Sequence, residues 1–392
     1  MTMADLTANL RPEWRLLLTC CRRPVPADIS ERFSALLTPG LDWSYLLAEA
    51  EDQGVTPLLA HSLCTFGEGR VPALWQERMR EPGRAHLVFT LALTAELFRL
   101  LDLFGQADIQ TAVFKGPALA VEAFGDAALR QYSDLDLFVR HAEVLRACEL
   151  LIARGYLTHL KLQEAAAGRI PGQFLFTRPG SHAVVELHTE RTMRYIPRPL
   201  PVDEIMARRS QVLIDGHPVP AFSAEETLVL ISIHGSKHLW DRLMWIADVG
   251  ALACRAPQLD AGTVLRFAGE LGADSMLSLG LRLARDLLKS PLPHEFAACV
   301  EQHAASRTLS RRVAARLLGA NRSLPGVMER AWFRVCMRGG LVEGVPYFLR
   351  VALAPTEEDW TARETAQRSG LGAFLKRPLR LLRKYGIGSR KV

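Results

Sequence analysis

Two changes of hydrophobic period, at Asp108 and at Ser223, constrain this chain more than any other feature. Apolar residues recur at helical spacing up to about residue 107, and again from Ser223 to about Arg350. Between these points lie short β-branched or alternating runs separated by glycine turns, the pattern of strands. The chain therefore reads as α+β: a small mixed sheet flanked by helical N- and C-terminal regions, divided as 1–107, 108–222 and 223–392.

In the first part, Asp42 is placed to cap a helix from Trp43 to about Gln53, and Pro57 opens the next. Leu87–Phe104 is the most apolar long stretch. Glu96, Arg99 and Asp102 interrupt it at helical spacing, which predicts a buried helix, ending near Gln106, in place of a membrane span. In the middle part, Ile109–Phe114 reads as a strand and Gly116-Pro117 as the start of a helix to about Phe124. A strand over Leu135–Val139 follows, then a helix over Ala142–Arg154 that stops at Gly155. Further strands are expected near Leu157–Leu160, Phe174–Thr177 and Ala183–His188, and a hairpin over Val212–Ala221 turning on Asp215-Gly216. Ser223 with Glu226 is a capping box that reopens the helical pattern. Pro355 breaks that pattern, and Thr356-Glu357-Glu358-Asp359 reads as one more helix start.

Composition narrows the class. With 49% hydrophobic and 23% charged residues over 392 positions, the chain can bury a sizeable core and is no disordered or collagen-like polypeptide. The net charge of +6 resides in the tail: Lys376–Val392 carries seven Lys or Arg and no acid, and without them 41 basic residues face 42 acidic ones. A body near neutrality speaks against a duplex-binding surface, so nucleic acid is not an expected partner. The tail mixes Leu with Arg at helical spacing. It either docks its leucines on the body or touches an anionic membrane surface or a nucleic acid. Seven scattered cysteines without a CxxC fit free thiols in a reducing compartment. The N-terminus shows no basic segment followed by an apolar one, so no secretory signal is expected. The expected location is cytoplasmic.

The chemistry concentrates in Ser133-Asp134-Leu135-Asp136-Leu137. In a strand, residues i and i+2 share a face about 6.6 Å apart. Leu135 and Leu137 then point to the core and both aspartates to the other side. Like charges held so close repel, and a divalent cation is the usual resolution. Glu186, between apolar neighbours in Val184-Val185-Glu186-Leu187-His188, offers a third carboxylate or is an exposed strand residue. Gly116 opens a helix whose N-terminus suits phosphate, or it is a plain strand–helix turn. Lys115 can meet a phosphate or be a solvated strand end; Arg130 can bind phosphate or pair with one of the aspartates.

A strand, a Gly turn, a helix, an Asp-x-Asp strand and a later single-carboxylate strand resemble the polymerase-β-like nucleotidyltransferase superfamily. In detail, "FKGPALAVEAFGDAALRQYSDLDLFV", "VVELH", "HGSKHLWDRLMWIADV", "APTEEDW" and "RPLRLLRKYG" resemble its bacterial family of uncharacterised nucleotidyltransferases, from about Asp42 to Gly386. The resemblance implies a nucleotidyltransferase core that uses Mg²⁺ (or Mn²⁺) to move a nucleoside monophosphate from a nucleoside triphosphate to an acceptor, releasing pyrophosphate. It implies Asp134, Asp136 and Glu186 as metal-holding catalytic carboxylates and Gly116 as the nucleotide-loop glycine, with Lys115 and Arg130 supporting the phosphates. Pro117 stands where the superfamily usually has Ser or Gly and supplies neither hydroxyl nor N–H. That departure keeps open a nucleotide-binding scaffold without turnover. An enzyme that modifies nucleic-acid ends is a further alternative.

The helix from Ser223 places His234 and His238 at i, i+4 on a face shared with Asp241 and Arg242. Without an HExxH glutamate this is not a zinc motif. The resemblance implies that Lys237, His238 or Arg242 faces the nucleotide cleft from the helical region. Trp240 and Trp245 are expected in the core, and Asp248 beside a basic neighbour.

Overall fold

The computed structural model describes residues 10–353, together with Met3 and Leu6, apart from 68, 160–161, 163–172, 182, 191–195, 256–258, 320–324 and 339–340. The readings at Pro355, at 356–359 and in the basic tail lie outside the described residues.

From Pro12 on, the described residues form the helices α1 (Pro12–Cys20), α2 (Ile29–Leu36), α3 (Trp43–Asp52), α4 (Thr56–Phe66) and α5 (Ala73–Gln106). Asp42 caps α3 by accepting from the Tyr45 N–H at 3.0 Å. Helix α5 begins fourteen residues before Leu87 and continues through Pro82. It is not buried all round. Leu93, Leu97, Leu100 and Phe104 form its buried stripe at helical spacing, whereas Leu87, Val88 and Leu91 are about half exposed or more (47%, 66% and 53%). The charges at Glu96, Arg99 and Asp102 do not mark burial on every side.

The sheet follows: β1 (Thr111–Val113), α6 (Gly116–Phe124), β2 (Asp134–Val139), α7 (Val144–Ala153), β3 (Gln173–Thr177), β4 (Val184–His188), α8 (Val202–Ala207), β5 (Ser210–Ile214) and β6 (His217–Ala221). Its strand order is β3-β4-β2-β1-β6-β5. β2 pairs parallel with β4, and β1 pairs parallel with β6. The pairs β1·β2, β3·β4 and β5·β6 are antiparallel. The α+β reading with a mixed sheet holds. Asp215 and Gly216 both have positive φ, as a two-residue hairpin turn of this hand requires. Near Leu157–Leu160, Leu157 makes only a single bridge to Thr177.

Helices resume with α9 (Ala224–Lys237), α10 (Leu243–Ala253), α11 (Ala261–Leu271), α12 (Asp274–Leu288), α13 (His294–Gln302), α14 (Ala304–Leu318), α15 (Val327–Cys336) and α16 (Leu341–Leu353). The Ser223–Glu226 capping box opens α9. This helix does not continue to Arg242: it stops at Lys237, and Leu239 and Trp240 take positive φ before α10. Trp240 is fully buried, and its ring packs where a Cβ at Gly235 or Gly280 would stand (2.6 and 2.8 Å). The helix therefore ends where the indole needs two residues without side chains.

Leu135, Leu137 and Val139 of β2 pack with the α5 and α7 side chains in one apolar cluster. Phe138, on the opposite face, belongs to a second cluster shared by α1–α4 and α9–α14. The even-numbered side chains of β2, both aspartates among them, thus point toward the C-terminal helices.

Candidate active site

Parallel pairing sets Asp136 directly opposite Glu186. Because side chains alternate, Asp134 on β2 and His188 on β4 join them on one face. This face forms a wall of a cavity of about 570 Å³, closed on the other side by the end of α9 and the start of α10. That volume is in the usual range for a small-molecule site.

The cluster is tightly bonded. His188 Nε2 lies 2.7 Å from Asp136 Oδ1 and 3.4 Å from Glu186 Oε2. Lys115 Nζ sits 3.0 Å from Asp136 Oδ2. Gln173 Nε2 donates to Glu186 Oε2 at 2.6 Å. Burial works to raise the Asp136 carboxyl, but Lys115 and His188 outweigh it and hold it well below the usual carboxylate range. Asp134, two residues away, goes the other way: burial first, and the Asp136 charge second, push it to about 6. Burial also works against the charged form of His188, and its hydrogen bonds to Asp136 and Glu186 more than offset this.

These donors fit a divalent cation. One ligand atom each from Asp136, Glu186 and His188 lies within 4.8 Å of the others, and Asp134 lines the same cavity. Three carboxylates suit a hard cation such as Mg²⁺ or Mn²⁺, and the imidazole adds one softer nitrogen donor.

The sequence-predicted residues gather here with one exception. Asp134, Asp136, Glu186, Lys115, Arg130 and Lys237 all line the cavity. Gly116 does not; it is buried, with φ at +52° and its Cβ position 3.7 Å from the Asp134 carbonyl oxygen. Lys115 has φ at +66°, so two consecutive left-handed residues turn the chain from β1 into α6 and leave the lysine at Asp136. Lys115 is no solvated strand end. Arg130 pairs with neither aspartate of β2. Its Nε and Nη2 grip both carboxylate oxygens of Asp248 on α10 at 3.0–3.1 Å, with both residues buried.

Sequence reasoning did not single out His188, although it stands two residues beyond Glu186 and so shares its face. Trp245 departs from the core placement: it is only part-buried and lines the cavity with His234 and His238, their ring centroids 5.5 and 5.0 Å from its own. Burial, then Lys115 and His238, push His234 well below the ordinary histidine value; burial, then Lys237 and Lys115, push His238 down to about 3. Both present neutral rings. Trp240 is in the core as expected.

This carboxylate-and-histidine face on a mixed sheet, opposed by helices across the cavity, belongs to a chain whose class the family comparison gives. The family described as "Uncharacterised nucleotidyltransferase" matches residues 39–289, and the chain belongs to it. Among solved structures, an antigenic nucleotidyltransferase-like protein from Paracoccidioides brasiliensis is similar at 15% identity, covering 52% of this chain and 93% of its own, with a TM-score of 0.31. Comparison with the curated proteins finds no match. No helix among the described residues is long and apolar enough to cross a membrane.

Proposed function

We propose that the protein transfers a nucleoside monophosphate from a nucleoside triphosphate to a small acceptor, with release of pyrophosphate. The observation that carries this reading is the convergence of Asp134, Asp136 and Glu186 on one cavity wall, in a chain of nucleotidyltransferase family. The acceptor oxygen or nitrogen attacks the α-phosphorus. Its bond to phosphorus forms as the bond to the pyrophosphate oxygen breaks, and the acceptor proton passes to a carboxylate of the cluster. A bound Mg²⁺ or Mn²⁺ supplies charge neutralisation for the phosphates. Asp134, Asp136 and Glu186 would hold it. Lys115, Lys237 and Arg130 border the space left for the phosphates. Gly116 acts through backbone shape, since it does not reach the cavity.

The test is a thermal-shift titration with each nucleoside triphosphate, with and without Mg²⁺, beside pyrophosphate release. Asp136→Asn keeps the shape and removes the charge. It is expected to abolish the metal-dependent shift and lower transfer by at least about a hundredfold. Full Mg²⁺-dependent transfer by Asp136→Asn would overturn the assignment.

One observation favours a second reading, a nucleotide-binding module without turnover. Lys115 and His188 occupy both oxygens of Asp136, and Pro117 removes a loop N–H. A metal-dependent shift without any pyrophosphate release, in the presence of candidate acceptors, would support it.

A further inference from the structure

The two oxygens of Asp136 have different neighbours. On the Oδ1 side stands His188 Nε2 at 2.7 Å, with Glu186 Oε2 3.4 Å from that nitrogen. Asp136, Glu186 and His188 are the residues whose ligand atoms gather closely enough to hold one ion. On the Oδ2 side stands the Lys115 ammonium at 3.0 Å. The Lys115 side chain is largely buried, and the residue lines the same cavity.

The backbone is strained to put this side chain there. Lys115 has φ at +66° and ψ at −142°, a combination that residues with a Cβ rarely adopt. Glycine takes such a conformation freely, yet this position carries a lysine. The turn is also tied to β2, because the Phe114 N–H donates to the Asp136 carbonyl at 2.9 Å. Strain persists where the surroundings enforce it, and it points to a use for the side chain that bears it.

We propose that Lys115 stands in for a second metal ion, so that the site works with one divalent cation and one built-in ammonium. The proposal rests on the transfer reading above. Sites of this chemistry often hold two ions about 3.5–4 Å apart. Ions that close share a carboxylate, one oxygen to each. Here Lys115 holds Asp136 Oδ2, and its like charge keeps an ion off that oxygen. The charges balance on this count. One divalent ion and one ammonium carry three positive charges, against the three carboxylates of Asp134, Asp136 and Glu186, and His188 is neutral when it ligates. The charge that a second ion would bring to the phosphates comes instead from a side chain fixed in place before nucleotide arrives.

The experiment uses Mn²⁺ as an electron paramagnetic resonance probe on the full chain. It is added with the α,β-methylene analogue of the nucleoside triphosphate that gives the largest thermal shift. An isolated Mn²⁺ gives a sharp hyperfine pattern, and a pair about 4 Å apart is broadened by spin coupling. Equilibrium dialysis counts the ions. Lys115→Gly removes the ammonium and suits the turn, and Lys115→Arg keeps the charge. Thermal melting checks the fold of each, and Lys115→Met replaces Lys115→Gly if that variant does not fold. The expected result is one uncoupled ion per chain in the wild type and in Lys115→Arg, and a second, coupled ion in Lys115→Gly. A coupled pair in the wild type would overturn the proposal. So would a single ion in both the wild type and Lys115→Gly, since the ammonium would then exclude nothing. A wild type that shows no thermal shift with any nucleoside triphosphate defeats the transfer reading itself, and the proposal falls with it on separate grounds.

Discussion

At Asp136 two basic side chains share one carboxylate, Lys115 on one oxygen and His188 on the other. The carboxylates themselves were legible from the sequence, because alternation along a strand is a property of the backbone. Their bonding was not, because it depends on which strand lies beside β2. Only parallel pairing with β4 brings His188 and Glu186 to Asp136, and no spacing within either segment encodes that. Arg130 is a similar case: its partner Asp248 lies 118 residues away. A separate residue carries a pH prediction. Burial, partly offset by Arg255, pushes the Glu122 carboxyl up to about 7. A folded value above the unfolded one means that the native state binds the proton more tightly. Its stabilising contribution is complete below about pH 4.5 and is lost as pH rises to about 7, up to about 3 kcal/mol. Glu122→Gln is expected to match the wild type in urea unfolding at pH 4 and to exceed its stability at pH 8. Parallel curves at both pH values would refute this.

Among the elements, the capped and punctuated ones were readable. Asp42, Pro57, Ser223 with Glu226, and Asp215-Gly216 are local chemistry, and each marks the start or turn that the structure shows. Two features were not local. α9 ends at Lys237 because Trp240 must fit between Gly235 and Gly280, a packing demand from α12. α5 starts before Leu87 and passes through Pro82, against propensity, with its C-terminal half anchored in the sheet core. That tension yields a prediction. Gly83 has space for a Cβ, so Gly83→Ala is expected to raise unfolding stability by about 0.5–1 kcal/mol. Calorimetry would show the gain; a loss would mean that the open space is not there.

Over the whole molecule, the Arg130–Asp248 pair fastens the loop into β2 to the C-terminal helices. Both side chains are at least 94% buried, so removing one strands a charge. Arg130→Met is expected to cost about 3–5 kcal/mol, and Arg130→Met with Asp248→Leu to recover much of it. Chemical denaturation of the single and double variants checks this; an equally unstable double variant would contradict it. A second long tie joins Gln53 to the first turn of α10: its side-chain and main-chain oxygens accept from the N–H groups of Leu243 (2.9 Å) and Met244 (3.1 Å).

The apolar cluster shared by α1–α4 and α9–α14 has a consequence for synthesis. A ribosome that has finished residue 222 has made one half of that core and the whole sheet, and none of the helices that complete it. Trp14, Phe33, Leu46 and Leu59, all fully buried in the finished molecule, then wait for partners still to be translated. The nascent chain must be shielded through that interval, and its coding sequence cannot be cut at the end of the sheet without leaving a sticky fragment.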